Sequence, residues 1–245
     1  MAYLDAKGNI VGSIGQLVFR NVNGKTLVQA KPEKTGKYPS ERSKQSATDF
    51  GRASRTTSAL VRGLRPFIGT NYDSQWFNRF RKTVYQGMKT NTSLPQGNLD
   101  LAQGSPEVLE GLEFNLQTPY PEYVQLPGLE LRLDAGKLLV TLPEFKTGSQ
   151  LYWPKEAGTA ELCYWISAYA PSDYQTLHQE LFTIPIPHRT ATIPASRYTT
   201  AELPQDSLNL VTAGILFYTS HTLRSQQTLN SKAFNPAQVM KVFKA

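Results

Sequence analysis

Two short strand-like runs open the chain, at 16–20 (Gln16-Leu17-Val18-Phe19-Arg20) and 26–30 (Thr26-Leu27-Val28-Gln29-Ala30). Between them Asn23-Gly24 is the favoured centre of a type I′ turn, where both central residues take positive φ. The spacing predicts a β-hairpin. Gly8, Gly12 and Gly15 precede it, where glycine permits tight turns or a close approach of two backbones. Residues 31–40 form a polar connector, and the hydroxyl of Ser40 is suited to cap a following helix.

That helix spans about 41–67. At about 100° per residue, Ala47, Phe50, Ala53, Leu60, Val61, Leu64 and Phe67 share one face, and Lys44, Arg52, Arg55, Arg62 and Arg65 share the opposite one. Gly51 and Gly63 each weaken a helix by about 1 kcal/mol relative to alanine, so a bend or break is allowed, and Pro66 ends or restarts it. A second helix is predicted over 74–89 with Asp73 as its cap. Trp76, Phe77, Phe80, Val84, Tyr85 and Met88 recur at helical spacing, with Arg79, Arg81 and Lys82 interleaved. An aromatic stripe of this kind can stack on bases. Aromatic residues at helical spacing more often pack into a core, here against the first helix or the hairpin.

Residues 90–107 are rich in Asn, Thr, Ser, Pro, Gln and Gly and read as a linker or long loop. The period then changes to two. Strands are expected at 129–133, 137–142, 161–168, 181–186, 208–219, 225–229 and 239–243, with turns at 134–136, 154–158 and 170–173. About seven to nine strands with regular turn signals predict an antiparallel β-sandwich of the immunoglobulin or fibronectin kind. The expected class is therefore α+β. A hairpin and two helices occupy 1–95, a linker 96–105, and the sandwich 106–245.

Composition narrows the function classes. The 245 residues are 40% hydrophobic, 11% aromatic and 18% charged, enough apolar material for a core. No apolar run approaches the roughly 20 residues of a membrane-spanning helix. The single cysteine, Cys163, excludes an internal disulfide and a thiolate-rich metal cluster. The opening residues lack the basic and apolar regions of a secretory signal, so the expected setting is the cytoplasm or a particle assembled there. The net charge of +7 is uneven: residues 1–95 hold 16 Lys and Arg against 5 Asp and Glu, whereas 96–245 hold 10 against 14. Such asymmetry fits a nucleic-acid surface or a head-to-tail contact between copies, and also a basic helix face that is simply solvated.

Three stretches carry a family resemblance: Gly12-Ser13-Ile14-Gly15-Gln16-Leu17-Val18-Phe19, then Asn23-Gly24-Lys25 with Lys31-Pro32, then Ser43-Lys44-Gln45-Ser46 through Phe50-Gly51-Arg52-Ala53-Ser54. Over residues 8–65 the chain resembles an uncharacterised domain-of-unknown-function family common in Bacteroidota. The resemblance implies a glycine-rich hairpin, a basic helical segment and a β-rich C-terminal half. It implies no catalytic residues.

Catalytic patterns are missing from the sequence. His178-Gln179-Glu180 has the His-x-Glu of zinc deaminases without the Pro-Cys-x-x-Cys partner. Gly24-Lys25-Thr26 ends like a phosphate loop, but the first glycine of that motif would fall on Phe19. No two of His178, His188 and His221 have metal-ligand spacing, and no Gly-x-Ser-x-Gly elbow exists. Cys163 lies in an apolar run expected to be a buried strand. Neither catalytic residue, metal, cofactor nor small-molecule substrate is expected. The sequence points to a non-enzymatic structural protein that self-associates into a particle or filament through Phe19, Asn23 and Gly24 of the hairpin. The alternative is nucleic-acid binding by Lys44, Arg52, Arg55, Arg62, Arg65, Arg79, Arg81 and Lys82.

Overall fold

The computed structural model describes residues 1–22, 24–31, 38–219 and 227–245. It divides into two compact units, Met1–Glu41 and Arg42–Ala245.

The first unit is a four-stranded antiparallel sheet in the order β1 (Tyr3–Leu4), β2 (Ile10–Ile14), β3 (Leu17–Val22), β4 (Lys25–Ala30). Strands β3 and β4 are the expected hairpin. Val22 pairs with Lys25, leaving two residues for the turn. Gly24 has φ 78, and its N–H donates to Asn21 Oδ1 at 3.0 Å. Asn23 lies outside the described residues. Gly8 lies in the turn between β1 and β2 and Gly15 in the turn between β2 and β3, so the glycines punctuate two further strands ahead of the hairpin. Asp5 Oδ1 accepts the backbone N–H groups of Lys7 and Asn9, both at 2.9 Å, and so builds the turn from β1 to β2. Gly12, at φ 108, is a position of close approach: a Cβ there would lie 2.5 Å from the carbonyl oxygen of Met1.

The second unit holds α1 (Glu41–Ile68), α2 (Trp76–Met88), β5 (Glu130–Asp134), β6 (Lys137–Leu142), β7 (Phe145–Lys146), β8 (Ala157–Ala170), β9 (Gln175–Ile186), β10 (Thr192–Ile193), β11 (Ser196–Thr199), β12 (Leu208–Thr219) and β13 (Ala237–Lys244). Its centre is the four-stranded sheet β13-β12-β8-β9, every neighbour antiparallel. Successive side chains point to opposite faces, so β8 and β12 feed two cores. Trp165, Tyr169, Leu208 and Leu210 join Ala53, Leu60 and Leu64 of α1 and Trp76, Phe80 and Val84 of α2. Tyr164, Ile166, Val211, Ala213 and Phe217 join Leu138, Val140 and Leu142 of β6, in the smaller sheet β11-β6-β5. The unit is thus layered as helices, four-stranded sheet and three-stranded sheet.

The mixed α+β class holds. The two sheets of this unit face each other across one core, and the helices cover the other face of the larger sheet. The expected domain limits change. The helices share a core with β8, β12 and β13, so the break falls near residue 41 and not at 96–105. The supposed linker is packed: Leu99 and Leu101 are buried in the helix-side core. Asp49 of α1, itself fully buried, accepts the backbone N–H of Gly97 at 2.8 Å and of Leu99 at 3.1 Å. Ala47 and Phe50, expected on the buried face of α1, are exposed. Of the expected strand at 225–229, residues 225 and 226 lie outside the described residues; Thr228 forms a bridge with Tyr218, and the Leu229 N–H donates to the Phe217 carbonyl at 2.7 Å.

Candidate association surface and basic helix face

None of the described residues of the first unit is buried. Its apolar side chains face outward: Ile14 is 60% exposed, Leu17 46%, Leu27 49% and Val28 54%. The register sorts them. Leu17 lies opposite both Ile14 and Ala30, and Phe19 lies opposite Val28. Residues directly opposite share a face, so Ile14, Leu17, Phe19, Val28 and Ala30 form one apolar patch, with Asn21 and Thr26 at its end. The other face carries Ser13, Val18, Arg20, Val22, Lys25, Leu27 and Gln29. Of the residues expected to mediate contacts, Phe19 lies within the apolar patch and is half-buried, whereas Gly24 sits in the turn beyond it. Ile14, Leu17 and Val28 share the patch with Phe19 and are not among the residues that the sequence singles out. The β3–β4 register, in which Val22 pairs with Lys25, is what groups them with Phe19.

The structure separates the eight cations expected on a nucleic-acid face. Arg79 is spent on structure: Nη1 and Nη2 donate to the two carboxylate oxygens of Asp73, both at 2.8 Å, and Nη2 also donates to the Glu113 carbonyl at 3.1 Å. Desolvation pushes the Asp73 carboxyl up, but Arg79 and the N–H groups of Gln75 and Leu116 hold it below the usual range. Arg81 lies 4.7 Å from the centre of the Phe50 ring and donates to Asn78 Oδ1 at 3.1 Å. Arg52 donates to Asn98 Oδ1 at 3.2 Å. Arg55 is exposed, its guanidinium 5.7 Å from the Tyr174 ring centre. Lys44, Arg62, Arg65 and Lys82 are exposed. Arg55, Arg62 and Arg65 remain together along the outer side of α1. The charge asymmetry does not follow the units. Residues 1–41 hold six Lys and Arg against three Asp and Glu, a net of +3, which leaves +4 of the total +7 on residues 42–245.

The catalytic candidates are engaged otherwise. His178 Nε2 lies 2.9 Å from Glu180 Oε2, and Glu180 also accepts the Tyr198 hydroxyl and the Ala201 N–H, a clasp between β9 and the β11 region. Burial pushes the Cys163 thiol up to about 12, so it is protonated at neutral pH. No three His, Cys, Asp or Glu side chains among the described residues are grouped to hold a metal ion. An open cleft of about 620 Å³ is lined by Asp73, Ser74, Arg79, Asn115, Gln117 and Lys232, but Asp73 and Arg79 are bonded to each other. Among the described residues no helix is long and apolar enough to cross a membrane.

No family model matches the chain, and no curated protein does. A solved β-glucuronidase from Parabacteroides merdae, with glycerol in its active site, is similar over 47% of this chain at 13% identity and a TM-score of 0.21. The chain spans 13% of that enzyme's length. A likeness so slight carries no argument about fold or activity.

Proposed function

We propose that this is a non-enzymatic structural protein whose copies associate through the N-terminal sheet into a particle or filament assembled in the cytoplasm. One observation carries the reading. A four-stranded sheet presents a continuous apolar patch, and none of its described residues is buried. Sheets of this size need a hydrophobic face covered to be stable, and exposed apolar patches mark interaction sites. The layered second unit has two cores of its own. Deleting residues 1–38 should therefore abolish assembly while leaving that unit folded, read by light scattering and circular dichroism. Assembly that persists in the truncated chain refutes the proposal.

The exposed row Arg55, Arg62 and Arg65 supports a second reading, binding of nucleic acid through phosphate contacts. It has less behind it than eight cations would, because Arg52, Arg79 and Arg81 already bond or stack within the protein. Arg55→Glu with Arg62→Glu should release any nucleic acid that copurifies, and unchanged retention counts against this face. Salt separates the readings. Phosphate binding weakens as salt rises, whereas copies that each carry +7 repel one another less when screened, so self-association strengthens.

A further inference from the structure

We infer that the association is face-specific and like-to-like: Ile14, Leu17, Phe19 and Val28 of one copy pack against the same four residues of a second copy, sheet upon sheet. The inference rests on the self-association reading and names its geometry.

The two faces of β2–β4 differ in charge. The patch around Phe19 holds no ionisable residue among the pairs that the register defines, whereas the opposite face holds Arg20 and Lys25. Packing the second face on itself would set those cations against their own images in a drying interface, where unpaired charge is costly. Packing the first face on itself buries none. An uncharged face also offers no attraction to an acidic peptide or a phosphate backbone. With both units basic, head-to-tail charge pairing between copies loses its support. A second copy of the same apolar face is the complement that remains.

Edge-to-edge pairing is the competing geometry, and lysines guard against it. The outer edge of β4 is exposed along its whole length. An antiparallel partner centred on Val28 would place Lys25 opposite Lys31 of the second copy. Like charges directly opposite destabilise a strand pair, and edge lysines discourage strand addition. The contact therefore lies on the face. Three strands of about six residues cover roughly 14 by 20 Å. That is well below the ~800 Å² per partner of a standard interface. Such a contact is concentration-dependent alone and gains strength by repetition in a larger assembly.

The test uses neighbouring residues of one exposed strand. Leu27 and Val28 are 49% and 54% exposed and point to opposite faces. Full-length wild type, Val28→Lys and Leu27→Lys are compared by sedimentation velocity across a concentration series. The expected result is an association constant at least about tenfold lower for Val28→Lys, with Leu27→Lys close to wild type. As a check that does not depend on tolerance of a lysine, Val28→Cys should be crosslinked between copies by a bismaleimide spanning about 10 Å, the spacing of packed sheets. Leu27→Cys should not, and the native Cys163 is buried. Equal losses in both lysine variants, or equal crosslinking in both cysteine variants, overturn the face assignment and leave self-association standing. Undiminished association in both lysine variants places the contact elsewhere and overturns the inference. A wild type that stays monomeric at every concentration overturns the self-association reading itself, and the inference with it.

Discussion

The indole N–H of Trp165 donates to the carbonyl oxygen of Gly63 at 2.9 Å, joining β8 to α1 across 102 residues of chain. Gln179 of β9 donates to the same oxygen at 2.8 Å. Helix propensity marks Gly63 as a weak point. Packing makes it a place where α1 comes close to the sheet, since a Cβ there would meet Thr176 Oγ1 at 3.4 Å and Ser167 Cβ at 3.5 Å. The Trp165 ring stacks on Phe67 with centroids 6.2 Å apart and planes 10° from parallel. Trp165→Phe keeps most of the stacking and loses the bond. It should cost about 1–2 kcal/mol by chemical denaturation.

Two other helical glycines should respond in opposite directions. Nothing lies within 4 Å of a Cβ built on Gly51. Gly51→Ala should then stabilise by about 0.5–1 kcal/mol through helix propensity. A Cβ on Gly87 would meet Leu101 Cδ1 and the Ser105 carbonyl, both at 2.8 Å. Gly87→Ala should destabilise by about 1–3 kcal/mol, because backbone cannot swing aside as a side-chain tip can. Thermal melts of both variants check the contrast.

The β5–β6 turn holds an avoidable strain. Asp134 pairs with Lys137, and the two residues between, Ala135 and Gly136, have φ 46 and φ 74. A two-residue turn of this kind favours Asn-Gly. Alanine is penalised by its Cβ at positive φ. Ala135→Asn should raise stability by about 0.5–1 kcal/mol, seen as a higher melting temperature.

Glu113 and Glu180 give opposite pH dependences. Desolvation pushes Glu113 from 4.5 up to about 7, against the lowering bond from the Tyr120 N–H, with the Glu122 charge adding to the rise. Folding then favours the protonated acid, so its contribution is fully present below pH 4.5 and is lost as pH rises towards 7. Glu113→Gln should be more stable than wild type above pH 7 and converge with it in acid. For Glu180, desolvation raises the carboxyl, but bonds from Tyr198, His178 and the Ala201 N–H outweigh it and hold the group below 4.5. Its contribution is present above 4.5 and is lost as pH falls through the depressed value. Glu180→Gln should lose stability at neutral pH, with the deficit shrinking in acid. Melting temperature across pH for both variants tests the two signs.

Local signals reached some of these features and not others. The β3–β4 hairpin followed from Asn23-Gly24, and the 28 residues of α1 followed from a clean helical period, with Pro66 tolerated inside its last turn. The Gly8, Gly12 and Gly15 punctuation hid β1 and β2, because positive-φ glycines can sit beside or within short strands as well as in turns. A helical wheel sorts outside from inside but says nothing of partners. It could not show that Arg79 is held by Asp73 and by a carbonyl 34 residues away. The packing of 96–105 had no local signature either, since its anchor is a carboxylate 48 residues earlier. Phe19 was singled out without the register that groups it with Ile14, Leu17 and Val28.

The order of strands along the chain sets which sheet can pair first. Among the described residues, strands β1 to β4 pair with one another, so every strand of that sheet lies within residues 3–30. The central sheet cannot close so early, because β12 sits between β8 and β13 and begins only at Leu208. Folding proceeds from the N-terminus during synthesis. The pairing partners of the first sheet are thus all synthesised before those of the central sheet.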